Sequence, residues 1–140
     1  MKACDFFLVN FSEMEDVEKL TPMPAICLLA LSEPLDEKSL FNAVSYFLSF
    51  GAFWFMSYGE FAEKIEDSVD SAIEMRESFD VVTTAHTSDE LEDVADFILN
   101  TASVGMTHFR CFLIFDNQEK NRVFCESLAK KYSAGLGLIH

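Results

Sequence analysis

Short apolar runs alternate with apolar stripes of helical period along this chain. Five runs have the length and composition of β-strands. They are residues 5–10, 25–31, 53–58, 79–85 and 109–115. The run at 25–31 (AICLLAL) has no polar position, which is typical of a strand covered on both faces of a sheet.

The segments between these runs predict helices. They are residues 13–20, a segment opened by Ser32 and Pro34 and ended by Gly51, residues 60–77, a segment from Thr87 to about residue 101, and residues 119–132. Ser12 with Glu15 and Thr87 with Glu90 have capping-box spacing, and Gly51 stands where a C′ glycine would be.

Buried helix faces can also be assigned from the pattern. In 60–77, apolar residues recur every four positions and therefore share one face. They are Phe61, Ile65, Val69 and Ile73. The last helix is expected to bury Val123, Phe124 and Leu128.

Strands that alternate with helices of this length imply βαβ units and a mainly parallel sheet. Right-handed crossovers then allow helices to cover both faces. We therefore predict a three-layer α/β sandwich with a parallel sheet of four to five strands. Residues 1–140 form one domain in this interpretation, and residues 133–140, with two glycines, form a loose tail. The order of the strands does not follow from the pattern.

Composition narrows the class of protein. Half of the residues are hydrophobic and 15 are Phe, which is ample for a core, while the formal net charge is −14. An acidic chain lacks the basic patch that nucleic acid or an anionic membrane requires, so we expect no nucleic acid and no membrane as partner. The first residues lack a secretory signal, and no apolar run reaches membrane-span length. Four scattered cysteines without a CxxC pair indicate buried free thiols, and the sequence predicts a cytoplasmic protein.

The sequence lacks the common motifs that indicate catalysis or cofactor binding. It has no GxGxxG, GxxxxGK[ST], GxSxG or HExxH, and no DxDxDG calcium loop. Its histidines, His86, His108 and His140, are widely spaced. We therefore expect no cofactor, no metal ion and no catalytic residue, and catalysis is unsupported.

A ligand site, if present, would lie outside the carboxyl ends of the strands. The residues placed there that form the alternative ligand site are Ser57, Tyr58, Thr84, His86 and Asp116. A neutral His86 could bind a ligand or act as a base, whereas the simpler interpretation is a histidine that packs or caps the turn. For Asp116 the simpler interpretation is turn chemistry.

The negative charge is concentrated in one part of the chain. Residues 60–96 hold 13 acidic and 2 basic residues, a net charge of −11. In the predicted helix 60–77, six carboxylates fall beside the apolar stripe, and Asp93 adds to them from the next helix. The six are Glu63, Glu66, Asp67, Asp70, Glu74 and Glu77. They are either a solvated face or a surface that docks a basic partner.

The segment 80–99 resembles a family of small bacterial proteins of uncharacterised function. In that family a strand ends in Thr-Thr-x-His, and an acidic helix beginning Glu-x-Leu-Glu follows. The matching positions here are Thr83, Thr84, His86, Glu90, Leu91 and Glu92. Where that family more usually has Trp before the histidine, this chain has Ala85. The resemblance implies a small α/β domain and no particular activity.

Three functional hypotheses follow. The first is a non-enzymatic acidic binding protein, most concretely an immunity-type inhibitor that neutralises a basic toxin through the acidic helical face. The alternative is a small-molecule-binding or catalytic domain with its site around His86. The third is a homo-oligomer held together by exposed Phe side chains.

Overall fold

A computed structural model describes residues 3–16 and 21–132 and contains five strands and four α-helices in that part of the chain. The strands are β1 (Ala3–Asn10), β2 (Ala25–Ala30), β3 (Ala52–Tyr58), β4 (Val82–His86) and β5 (His108–Phe115). The helices are α1 (Glu37–Ser49), α2 (Ala62–Met75), α3 (Leu91–Phe97) and α4 (Glu119–Tyr132). A 3-10 helix (Phe11–Asp16) follows β1, and a π-helical turn (Ile98–Ala102) extends α3. The predicted helical residues 17–20 and the predicted tail 133–140 lie outside the described residues.

The strands form one parallel sheet in the order β1-β5-β2-β3-β4. The last strand therefore inserts between the first two, and β1 and β4 are the edges. Because all strands run the same way, all five carboxyl ends meet at one end of the sheet. A parallel strand that is buried on both faces needs apolar side chains throughout, and all six residues of β2 are buried.

Helices cover both faces of the sheet, which confirms the predicted three-layer α/β fold. The chain moves from β2 to β3 to β4 in one direction, so right-handed crossovers place α1 and α2 on one face. It then returns across the sheet to β5, which places α3 on the other face, where α4 joins it. Each face has its own apolar core, one including Phe47 and Val69 and the other Val94 and Leu128.

Three elements begin three or more residues later than predicted, each for a local reason. Helix α1 begins at Glu37 rather than near Ser32, because the Asp36 side chain accepts a hydrogen bond from the Ser39 backbone N–H at 2.8 Å. Helix α3 begins at Leu91, because the capping box joins Glu90 to Asp93 instead of Thr87 to Glu90.

Strand β4 is shorter than predicted. It begins at Val82, not at residue 79, because the chain turns after α2 with Glu77 at a φ of +56°. Phe79 consequently stays outside the sheet and is 76% exposed.

The end of α1 agrees with the prediction. Gly51 has a φ of +97°, and its N–H donates to the Leu48 carbonyl at 3.1 Å. A Cβ at this position would lie 2.1 Å from the Met23 carbonyl oxygen, so the approach of the two backbones also requires glycine.

The buried face of α4 is partly different from the predicted one. Leu128 is buried, but Val123 is exposed, while Asn121 and Cys125 point inward. All four cysteines, Cys4, Cys27, Cys111 and Cys125, are buried and free, as predicted. Burial raises the pKa of each thiol, which keeps the thiols protonated and unreactive. Among the described residues, no helix is long and apolar enough to cross a membrane.

Candidate functional site

A cleft of about 320 Å³ lies at the carboxyl ends of β2, β3 and β4, beside the first turns of α4. The neighbouring strands β2 and β5 are followed by helices on opposite faces, α1 and α4, and such a divergence opens a crevice in parallel sheets. The cleft is lined by Leu31, Ser32, Tyr58, Gly59, Glu60, Thr87, Lys120, Asn121 and Phe124.

Asp116 bonds to two residues that line this cleft, Ser32 and Asn121. Its carboxylate accepts hydrogen bonds from the Ser32 backbone N–H at 2.7 Å, the Asn121 amide at 2.8 Å and the Gln118 backbone N–H at 3.1 Å. Asn121 also donates to the Ser32 hydroxyl at 2.8 Å. The carboxylate therefore joins the ends of β2 and β5 to the start of α4, and three of its acceptor positions are used within the protein.

Tyr58 stacks on Phe124 at one wall of the cleft, with ring centroids 4.0 Å apart and planes 14° from parallel. Burial, and then the nearby Cys125 and Asp89, raise the pKa of the Tyr58 hydroxyl. Tyr58 is therefore a neutral hydrogen-bonding group at physiological pH. Of the five residues predicted for the alternative ligand site, it is the one that lines the cleft.

His86 belongs to a closed hydrogen-bond chain under the α3 layer. Its Nδ1 lies 2.8 Å from Asp89 Oδ2 and its Nε2 lies 2.8 Å from Thr84 Oγ1. The Trp54 Nε1–H donates to the same Thr84 hydroxyl at 3.2 Å. The ring is 5% exposed and packs edge-on against Phe97 at 4.7 Å.

Chemistry fixes the direction of two hydrogen bonds in this chain. An indole N–H can only donate and a carboxylate can only accept, so Thr84 accepts from Trp54, and His86 donates from Nδ1 to Asp89. The Thr84 oxygen keeps a second lone pair, so the hydroxyl can donate to Nε2 of a neutral ring or accept from Nε2–H of a protonated one. Both ring nitrogens are thus occupied, and proton abstraction from a substrate would require breaking the bond to Thr84.

Ser57 is separated from the other predicted ligand-site residues. Side chains alternate along a strand, so Ser57 shares the α1–α2 face with Phe55, whereas Tyr58 lies on the α3–α4 face. Ser57 is 1% exposed, and its hydroxyl has no hydrogen-bond partner among the described residues. The structure therefore brings Tyr58, Thr84 and His86 to one face of the sheet and leaves Ser57 on the other.

The acidic residues of α2 lie against the β4 edge of the sheet. The Thr83 hydroxyl of β4 donates to the Asp70 carboxylate, and Glu66 also interacts with this threonine. Glu66 and Asp70 are half-buried, and carboxylate oxygens of Glu66, Asp67 and Asp70 lie within 4.8 Å of one another. Burial, followed by the charge of Asp70, raises the pKa of Glu66.

The other predicted partner-binding residues extend this surface. Glu63 and Glu74 lie exposed on α2. Glu77 is exposed but lies beyond the end of α2, and the Asp93 side chain accepts from the Glu90 backbone N–H at 3.2 Å. In the described part of the chain, none of these seven carboxylates has a basic side chain within 4.0 Å.

Sequence reasoning missed two groups of residues. Lys120, Asn121 and Phe124 line the cleft from α4, and the polar pattern of that helix gave no signal that Asn121 is buried. Phe79 and Val82, exposed by 76% and 42%, stand at the start of the β4 edge. The short spacing from α2 to β4 was the available signal that Phe79 lies in the connection.

Comparison with known proteins gives a family and no activity. No curated protein and no solved structure shows significant similarity to this chain. The model of one family, described as a domain of unknown function (DUF7684), matches residues 6–134. That match covers most of β1 and the whole of the other four strands and of the four α-helices. The chain therefore belongs to the DUF7684 family.

Proposed function

We propose that this chain is a non-enzymatic, cytoplasmic acidic binding protein, most concretely an immunity-type inhibitor that neutralises a basic toxin. The observation that carries the proposal is the unneutralised acidic surface of α2, with Glu66 and Asp70 fixed over the β4 edge. Like charges three or four residues apart disfavour a helix by about 0.2–0.5 kcal/mol per pair. A basic partner would offset that cost, and the surface would speed association with it.

The hydrogen bonds of His86 and Asp116 support a binding role over a catalytic one. Both side chains could act as an acid or a base near the strand ends, and both are hydrogen-bonded to other groups of the protein. Toxins that act on nucleic acid carry basic clefts, which an acidic surface complements. Thr83, the first threonine of the Thr-Thr-x-His segment, donates a hydrogen bond to Asp70 of the acidic helix.

The test is to titrate this chain with the product of the adjacent gene and to ask whether co-expression of this chain rescues growth of cells that express that product. Replacing Glu66, Asp70 and Glu74 with Lys should weaken binding at least tenfold and abolish rescue, since three attractions become repulsions. The matched control replaces the exposed Glu13, Glu33 and Glu37 with Lys.

The control changes the net charge equally but leaves α2 intact, so it should retain most of the affinity. Equal affinity of the triple α2 variant and the native chain would refute the proposal. Circular dichroism of each variant checks that the fold is retained.

A second candidate function rests on the cleft at the strand ends. A volume of about 320 Å³ suits a small molecule, and Lys120, Asn121 and Tyr58 offer polar contacts to it. Thermal-shift screening of metabolites, with Tyr58→Ala as the comparison, tests this function. A ligand whose stabilisation disappears in Tyr58→Ala would favour it.

A further inference from the structure

We propose that the open edge of β4 receives an extended segment of the partner as a sixth strand, with basic and apolar side chains alternating along it. This inference rests on the proposed binding function and specifies how the partner is held. Among the described residues, β4 pairs with β3 alone, so its outer side is open.

The orientation of the β4 backbone follows from one hydrogen bond. The His86 carbonyl accepts from the Gly59 N–H at 3.2 Å and therefore points toward β3. Backbone groups alternate in direction along a strand, so Val82 and Thr84 also point inward. Thr83 and Ala85 consequently direct their N–H and C=O groups to the open edge, where an added strand would bond to them.

The side chains that border this edge differ between its two faces. On the α2 face, Thr83 stands beside Glu66 and Asp70. On the opposite face, Val82 is 42% exposed. Phe79, which is 76% exposed, lies in the connection before the strand. Opposed side chains of neighbouring strands contact each other on the same face. An added strand would therefore place Lys or Arg toward α2 and apolar residues toward Val82.

Charge selects a basic partner over a second copy of this chain. Natural proteins often protect edge strands with lysine, proline or a bulge, and β4 has none of these. Pairing of two β4 edges would bring both sets of α2 carboxylates together and would be opposed by their repulsion. At the other edge, by contrast, Asp5 of β1 lies among the cationic or titratable side chains of His108 and Arg110.

The probe is the peptide acetyl-Lys-Val-Lys-Val-Lys-Val-Lys-amide, measured by titration and by hydrogen exchange. We expect binding at low salt and slower exchange of the Thr83 and Ala85 amides. The same peptide N-methylated at every internal amide keeps its charge but cannot donate to β4, and it should bind at least tenfold more weakly.

Variants of the protein separate the backbone from the charge. Ala85→Pro removes an N–H that points away from β3 and should reduce affinity about tenfold, whereas Ala85→Val keeps that N–H and should bind normally. Thermal unfolding establishes that both variants fold. The N-methylated peptide tests the same bond on the native chain.

The outcomes distinguish this inference from the proposed function. Equal binding of the two peptides would overturn strand addition while leaving acidic docking intact. If neither peptide bound, strand addition would be overturned too. A dimer of the native chain that Ala85→Pro dissociates would also overturn it, because a second copy would then occupy the edge. Failure of the proposed function itself would appear separately, in the titration of the α2 charge variants against the neighbouring gene product.

Discussion

Replacing Asp116 with alanine measures whether this carboxylate is a structural or a ligand-binding group. The side chain accepts three hydrogen bonds, from Ser32, Gln118 and Asn121. A hydrogen bond to a charged group contributes about 1.5–3 kcal/mol, and water can replace part of that at a half-buried position. We therefore expect Asp116→Ala to lower the free energy of unfolding by about 2–4 kcal/mol.

Thermal unfolding followed by circular dichroism is the assay. For a domain of this size, a loss of 1 kcal/mol lowers Tm by about 3 °C, so Asp116→Ala should lower it by about 6–12 °C. The control is Asn117→Ala. Asn117 is exposed and accepts one neutral hydrogen bond, from Asn10 at 3.3 Å, so its loss should cost less than about 0.5 kcal/mol.

A Tm of Asp116→Ala within about 2 °C of the native value would refute this reasoning. The three hydrogen bonds would then contribute little to the free energy of unfolding, and Asp116 would not be a structural group.

Two further predictions concern Glu66 and His86. Glu66→Gln removes a group whose pKa is raised by burial and by Asp70, so ionisation of the native Glu66 costs stability as pH rises through and above its unfolded pKa. The variant should be about 0.2–0.5 kcal/mol more stable at pH 7, a gain that disappears below about pH 4. Urea unfolding at the two pH values measures this gain, and an equal gain at both would contradict the prediction. For His86, the hydrogen bond to Asp89 fixes the proton on Nδ1. Ring nitrogen chemical shifts showing a neutral ring protonated on Nε2 would contradict the closed hydrogen-bond chain.

The fold could be predicted from the sequence because a parallel α/β sheet leaves a strong pattern. Strand β2 is apolar at every position, and the α2 stripe at Ile65, Val69 and Ile73 is buried as expected. The insertion of β5 between β1 and β2 could not be predicted, since it depends on contacts between residues about 100 positions apart. The N-caps of α1 and α3 were also predicted wrongly. Asp36 and Glu90 cap these helices through local hydrogen bonds, and nearby residues with suitable side chains compete for the same role.

The candidate site was only partly accessible to sequence reasoning. Strand ends could be located, and so could Tyr58, His86 and Asp116. Side chains alternate along β3, which already implies that Ser57 faces away from Tyr58. Ser57 was assigned to the site only because it lies near the end of the strand. The burial of Asn121 depends on its bonds to Ser32 and Asp116, which only the folded chain creates.

The acidic surface and the open edge of β4 also explain each other. An edge strand without lysine, proline or a bulge would be expected to pair with other copies, and negative charges beside it would oppose this pairing. Glu66 and Asp70 repel a second copy of the chain, yet the same two carboxylates attract a basic strand. Their neutralisation in the pair Glu66→Gln, Asp70→Asn should therefore have two effects at once, weaker binding of a basic peptide and stronger self-association. Both effects are needed, because carboxylates that merely solvate the helix would produce neither.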